Sequence, residues 1–326
     1  MKTVVTGATG HIGANLISAL LQRGGQVGAV IHRNKPVLDD PNLELVVGDI
    51  GNVDSLCRAF DGADVVYHLA AAISLSKKNW SLVEQANVMG TRNVVEACLR
   101  CGVRRLVAFS SIHAVSDEAA VENIDESCIL NDSSCPHEYD RSKANAEREV
   151  IKGFERGLDT VIISPTGVVG PYDYVPSFMG QALMMMASNK LPALVTGGFN
   201  WVDVRDVVAG AIAAEEKAVC GQKYLLSGHW ASIAGIALVV SQVMGSKVPS
   251  LIVPAKFVSW IAPLVEVYYR LRKQRLLFTS MSMDTIGGYH NISHDKATCE
   301  LEYKPRPFHQ TIADTLAWFE QNWYIS

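Results

Sequence analysis

Tyr139 and Lys143 stand four residues apart in the run Tyr139-Asp140-Arg141-Ser142-Lys143. On a helix this spacing puts a phenol and an ammonium on one face. A free phenol titrates near pH 10 and exchanges protons poorly at neutrality, but a neighbouring cation favours the phenolate and lowers that value. Tyr139 is thereby an acid/base candidate and Lys143 its tuner. Such pairs are also common on solvated helices, so the chemical reading needs a third group. Ser110-Ser111 closes the apolar run 105–110. A hydroxyl at a strand end can hydrogen-bond a carbonyl oxygen and stabilise charge developing on it, a role for which Ser111 is the candidate. The bland alternative is a turn serine.

The second chemical feature is Gly7-Ala8-Thr9-Gly10-His11-Ile12-Gly13, placed between the apolar run 3–6 and the helical pattern opening Ala14-Asn15-Leu16-Ile17. One glycine allows a tight turn, one admits a pyrophosphate to the backbone, and one lets helix and strand pack closely. The helix N-terminus adds free N–H donors. Strand, loop and helix in this order predict dinucleotide binding by Gly7, Gly10 and Gly13 with Thr9, His11 and Ile12 of the same loop. About 20 residues further on, an NAD site places a carboxylate on the ribose, whereas this chain has His32-Arg33-Asn34-Lys35. Arg33 with His32 suits a 2'-phosphate, so NADP is expected, with NAD possible. Asp49, in Gly48-Asp49-Ile50, can accept from an adenine amino group or cap a helix.

These groups must be held by a sheet. Apolar, largely β-branched runs at 3–6, 27–31, 43–47, 65–69, 105–110 and 160–164 alternate with helical patterns at 12–22, 53–60, 82–100 and 139–155. That alternation predicts an α/β fold, a Rossmann-type doubly wound parallel sheet over residues 1–170. Beyond Pro171 the rhythm breaks into turn-rich segments, read as a smaller C-terminal substrate lobe over 171–326, with elements such as 223–227 returning to the main sheet.

Together, the TGATGHIG loop, Gly48-Asp49-Ile50, His68-Leu69-Ala70-Ala71, Asn87-Val88-Met89-Gly90-Thr91, the Ser110-Ser111 strand end, the Tyr139/Lys143 helix and Pro165-Thr166-Gly167-Val168-Val169-Gly170-Pro171 resemble the extended short-chain dehydrogenase/reductases, across nearly the whole chain. The resemblance implies that Ser111, Tyr139, Lys143 and Asn87 form a catalytic tetrad. It also implies that Ile50, Leu69, Ala70 and Ala71 line the cofactor, that Lys143 reaches the nicotinamide ribose, and that Pro165 and Val168 pack near the nicotinamide. Nucleotide-sugar epimerases and dehydratases of this group carry Arg-x-x-Asn-x-x-Gly-Pro after the sixth strand; here Ser164 starts the stretch and Gly167 takes the Asn position. The segment is closer to dihydroflavonol 4-reductases and hydroxysteroid dehydrogenases, which implies reduction of a ketone, aldehyde or related carbonyl. The family's aromatic-Gly pair after the serines is replaced by Ser111-Ile112-His113-Ala114-Val115. Pairing through the helices 82–100 and 139–155, as a homodimer, is expected by analogy alone.

Composition agrees with small-molecule chemistry. The 326 residues include 48% apolar and 19% charged residues, and 29 Lys+Arg against 33 Asp+Glu give a net charge of −4, so no global basic field exists to hold nucleic acid or an anionic membrane. Seven cysteines at irregular spacings and an N-terminus without an apolar leader suggest reduced thiols in the cytoplasm. Cys98-x-x-Cys101 lacks a second ligand pair, so no metal is expected. The stretch 251–269 contains Lys256 and Glu266 and reads as an amphipathic helix, followed by a basic cluster at Arg270, Arg272, Lys273 and Arg275. Tyr172, Tyr174, Phe178, Phe199 and Trp201 are candidate pocket walls, and Met184-Met185-Met186 is a candidate adaptable surface.

Overall fold

Short runs of valine, isoleucine and leucine bounded by Gly, Asp or Asn become strands here because both sheet faces are covered by helices, as parallel sheets require. The computed structural model describes residues 1–32, 37–72, 80–116, 123–254 and 291–325. In chain order the elements of the first half are β1 (Lys2–Thr6), α1 (His11–Gln22), β2 (Gln26–Ile31), β3 (Leu43–Val47), α2 (Val53–Ala59), β4 (Val65–His68), α3 (Trp80–Glu84), α4 (Gly90–Cys101), β5 (Arg105–Phe109), α5 (Glu138–Glu155) and β6 (Thr160–Pro165). There follow β7 (Gly167–Val169), α6 (Phe178–Ala187), β8 (Leu194–Val195), β9 (Gly198–Asp203), α7 (Val204–Lys217), β10 (Lys223–Leu226), β11 (His229–Ser232), α8 (Ile233–Met244), β12 (Ile252–Val253), α9 (Asp295–Leu301) and α10 (Phe308–Gln321).

Among the described residues seven strands form one parallel sheet in the order β10-β6-β5-β4-β1-β2-β3. Helices α2, α4 and α5 pack together on one face, where Leu56, Phe60, Val94, Leu106, Val150 and Ile162 form a core; α1 packs on α7, as does α9. The registers Thr6 with His68, His68 with Ala108 and Phe109 with Ile163 bring the strand ends to a common carboxyl edge, where such sheets bind ligands. The six predicted strands all form, and 223–226 joins the sheet as β10.

The single helix expected over 82–100 is instead two helices, α3 and α4, joined by a π-helical turn at Gln85–Met89. The widened turn carries Asn87, whose buried side chain bonds to Ala72 and Ser142, both distant in the chain; π turns frequently accompany functional sites.

The chain divides into two compact units, 1–166 with 204–226 and 293–304, and 167–203 with 227–292 and 305–326. In the second unit, β7, β9 and β11 form one sheet and β8 pairs with β12. Its core gathers Leu183, Met186, Ile236, Ile312, Leu316 and Phe319, and Met184 and Met185 pack against it, so the methionine run is packing. The stretch 255–269 and the basic cluster at Arg270, Arg272, Lys273 and Arg275 lie outside the described residues.

Candidate active site

The glycine loop is built from close approaches of backbone. Gly7 has φ +72°, and a Cβ there would lie 2.7 Å from the backbone of Leu69 and Ala70. A Cβ on Gly13 would lie 2.2 Å from the Gly7 carbonyl oxygen, so strand and helix meet at a distance that only glycine permits. Gly10, exposed, stands at the N-cap of α1, where neither a capping side chain nor a first-turn acidic residue occupies the free N–H groups. Thr9, His11 and Ile12 are half-buried along the same loop. A glycine cradle at a helix start with, among the described residues, neither a capping side chain nor a first-turn acid fits a dinucleotide pyrophosphate.

At the end expected to bind the adenosine, His32 Nε2 lies 4.0 Å from Asp49 Oδ2, with both side chains more than half exposed. Asp49 Oδ1 accepts from the Gly51 N–H at 2.8 Å. Asn52, not Asp49, caps α2, its side chain accepting from the Ser55 N–H at 2.9 Å. The capping alternative for Asp49 therefore falls away, and Oδ2 faces outward toward His32. Arg33 lies outside the described residues. Ile50 packs against Gly90, while Leu69, Ala70 and Ala71 follow β4 at the sheet's edge, Ala70 N–H donating to Thr6 Oγ1 at 3.3 Å.

Ser111, half-buried at the end of β5, caps the 3₁₀ turn Ile112–Ala114: its Oγ accepts from the His113 N–H at 3.3 Å. Among the described residues nothing receives its O–H. The preceding Ser110 is committed elsewhere, donating to Glu147 Oε2 at 2.5 Å. Tyr139 and Lys143 lie on α5, as the spacing predicts. The phenol, however, is shifted opposite to expectation. Burial pushes Tyr139 up from its ordinary value and the Asp140 carboxylate pushes it further. Lys143 is buried, and desolvation lowers its ammonium to about 8 against the opposing pull of Glu147.

Sequence reasoning missed the charge beneath Lys143. Glu147, one turn along α5 and 4% exposed, accepts from Lys223 Nζ of β10 at 2.7 Å as well as from Ser110. Its i+4 spacing from Lys143 was the available signal; its partner 76 residues away was not. His68, buried, lies between Thr6 Oγ1 at 2.8 Å and Thr91 Oγ1 at 3.0 Å. Burial, then the Lys143 charge, lowers it to about 3, so it is neutral at physiological pH. Asn87 holds structure together: Oδ1 accepts from Ala72 N–H at 2.7 Å, and Nδ2 donates to Ala72 O at 3.1 Å and to Ser142 Oγ at 3.0 Å. Its amide ties the loop after β4 to α5.

Pro165 ends β6, buried, and Val168 lies half-buried in β7 of the second unit. At Gly167 a Cβ would lie 2.7 Å from the Trp201 ring and 2.8 Å from that of Phe199. The two rings meet edge-on at 5.7 Å, filling the space an asparagine side chain would need. Tyr172 and Tyr174 pack on Trp318 at 5.9 and 5.3 Å, in a cluster closed by Phe319 and Tyr324, while Phe178 is exposed. Cys98 is buried and Cys101 Sγ contacts the Cys57 carbonyl; no group of metal-ligating side chains occurs among the described residues. Nor, among them, is any helix long and apolar enough to cross a membrane.

A parallel sheet of this order, with a glycine cradle at the end of the first strand, defines a Rossmann protein of the dinucleotide-binding type. Residues 3–226 match the NAD dependent epimerase/dehydratase family, and the chain belongs to that family, within the extended short-chain dehydrogenase/reductases. It is 34% identical to sterol demethylase protein B of Methylococcus capsulatus over the full length of both chains. It is 31% identical to a proposed dihydroflavonol 4-reductase of Synechocystis, covering 98% of this chain and 95% of that one. The UDP-glucose 4-epimerase of Thermotoga maritima, solved with UDP-glucose, shares the fold at TM-score 0.82 and 18% identity over 99% of this chain and 100% of that one.

Proposed function

We propose that the protein is an NADP(H)-dependent oxidoreductase that reduces a ketone, aldehyde or related carbonyl on a small organic substrate. The observation that carries this reading is a half-buried Tyr139 and a buried Lys143 on α5, beside the Ser111 turn, on the sheet that bears the glycine cradle. Gly7, Gly10 and Gly13 would hold the pyrophosphate, Asp49 the adenine, and His32 with Arg33 the 2'-phosphate. When bound, the nicotinamide supplies the hydride. Tyr139, kept protonated at neutral pH by burial and by Asp140, donates its proton to the substrate oxygen. Ser111 donates a hydrogen bond to that same oxygen, and Lys143 supplies positive charge as negative charge develops there. The reductase name of the Synechocystis relative supports this reading, and Gly167, packed on Phe199 and Trp201, argues against the sugar-nucleotide contact of the epimerases.

The test is a panel of cyclic and aromatic ketones with NADPH or NADH, followed by loss of reduced-nicotinamide absorbance. Turnover with NADPH preferred is expected. Tyr139→Phe should lower kcat by about 100-fold or more while NADPH affinity stays within about twofold. Full activity in that variant would remove the reading. Turnover of a nucleotide sugar on tightly held NAD, without added cofactor, would replace it with epimerase or dehydratase chemistry.

A further inference from the structure

One residue with no part in the proposed proton transfer meets three of the groups around it, one through its backbone and two through its ring. His113 lies in the turn Ile112–Ala114, and its backbone N–H donates to Ser111 Oγ at 3.3 Å. Its ring stands edge-on to the Tyr139 ring, 5.6 Å between centroids at 68°. Its Nδ1 is 3.2 Å from Asp140 Oδ1, a close electrostatic contact between side chains 18% and 13% exposed. The backbone of the turn is fixed as well. Asn131 Nδ2 donates to the carbonyls of His113 at 3.0 Å and Val115 at 2.9 Å, and Arg148 of α5 donates to the Asn131 carbonyl at 2.7 Å.

The turn bearing Ser111 and the helix bearing Tyr139 are therefore joined at His113. Among the described titratable groups, Asp140 on the same helix and His113 on the turn face Tyr139, with Lys143 one helical turn further on. An imidazole combines two properties at this place. Its flat ring fills an edge-on aromatic contact, and its nitrogen meets a carboxylate that would otherwise act on the phenol alone. Phenylalanine offers only the first property and asparagine only the second.

We propose that His113, partnered by Asp140, is a positioning residue that sets the distance and angle between the Ser111 hydroxyl and the Tyr139 phenol. This rests on the proposed roles of Ser111 and Tyr139 in carbonyl reduction. The test uses the full chain and a ketone from the panel. His113→Phe should lower kcat about 10- to 100-fold, the scale of a small misplacement, with KM and NADPH affinity within about twofold. Adding Asp140→Asn to His113→Phe should recover part of the loss, because it removes the carboxylate left unpaired beside the phenol. Wild-type kcat in His113→Phe, or a double variant whose losses simply add, overturns the proposal. So does a parallel loss of kcat, KM and NADPH affinity.

Crystal structures of His113→Ala and the unaltered protein give a reading that needs no substrate. The proposal expects the Tyr139 hydroxyl to shift relative to Ser111 Oγ, and an unmoved hydroxyl overturns it. If His113→Phe does not fold, Asp140→Asn alone carries the kinetic test: kcat should fall with KM and NADPH affinity within about twofold, and an unchanged kcat counts against the proposal. Tyr139→Phe separates the two levels. Full turnover in Tyr139→Phe removes the functional reading itself, whereas an inactive Tyr139→Phe with fully active His113 variants removes only the positioning role.

Discussion

At the carboxyl end of β1 the protein presents backbone: a glycine at positive φ, an exposed N-cap and a helix start free of side-chain caps. Near the carboxyl end of β5 and along α5 it presents buried charge instead, with Lys143, Glu147 and Lys223 packed beside a neutral His68. The first region offers only groups that every residue carries, so its demand on the sequence is for the absence of side chains. The second works through side chains held in a low-dielectric interior, where each charge depends on a partner. Removing a charged side chain should therefore disturb the balance of the second region, in a direction set by whether that charge is paired or desolvated, and adding a side chain should hurt the first.

Glu147→Gln tests the charged region hardest. The Glu147 and Lys223 side chains are 3% and 13% exposed, and breaking a buried pair from one side costs about 3–5 kcal/mol, measurable by urea unfolding. Because Glu147 also supports the Lys143 ammonium, its loss should lower Lys143 further and move the alkaline limb of kcat to lower pH.

Lys143→Met should do the reverse to stability. Lys143 sits at about 8 in the folded protein against an ordinary 10.5, so the unfolded chain binds more protons between those values. Its burial opposes folding fully below about pH 8, and the penalty fades as pH rises toward 10.5. The variant should be more stable at pH 7 by up to about 3 kcal/mol, with the gain gone near pH 10.5, while turnover is lost. A variant less stable than the parent at pH 7 would show that Lys143 is a structural cation.

The smallest effects separate the glycines. Gly13→Ala drives a methyl group into the Gly7 carbonyl and should lose about 1–3 kcal/mol of stability. Gly10→Ala meets only an ordinary 3.4 Å contact, so thermal unfolding should change by less than about 1 kcal/mol, with the loss appearing in NADPH affinity by titration. Equal behaviour of the two variants would dissolve the distinction between a packing glycine and a binding one.

The strands were legible because burial on both faces writes itself as unbroken apolar runs such as Val27, Ala29 and Val30. The cradle and the Tyr139/Lys143 pair were legible because both are local spacings. What escaped depends on partners distant in the chain. The helix break at 85–89 is fixed by Asn87 bonding to Ala72 and Ser142, and the Glu147 pairing comes from β10. The shift of Tyr139 reversed because i+4 spacing reports a nearby cation but not how much water the fold removes or where Asp140 points.

The counter-charge on Lys223 carries a consequence for biosynthesis. The ribosome will have finished Ser111, Tyr139 and Lys143 long before it reaches the cation that offsets Glu147, which lies 76 residues beyond that acid. A nascent chain stalled before β10 should hold Glu147 with Ser110 and Lys143 near it but without the Lys223 ammonium. Competence for catalysis should then arrive abruptly, once the strand at Lys223–Leu226 clears the exit tunnel and docks beside β6.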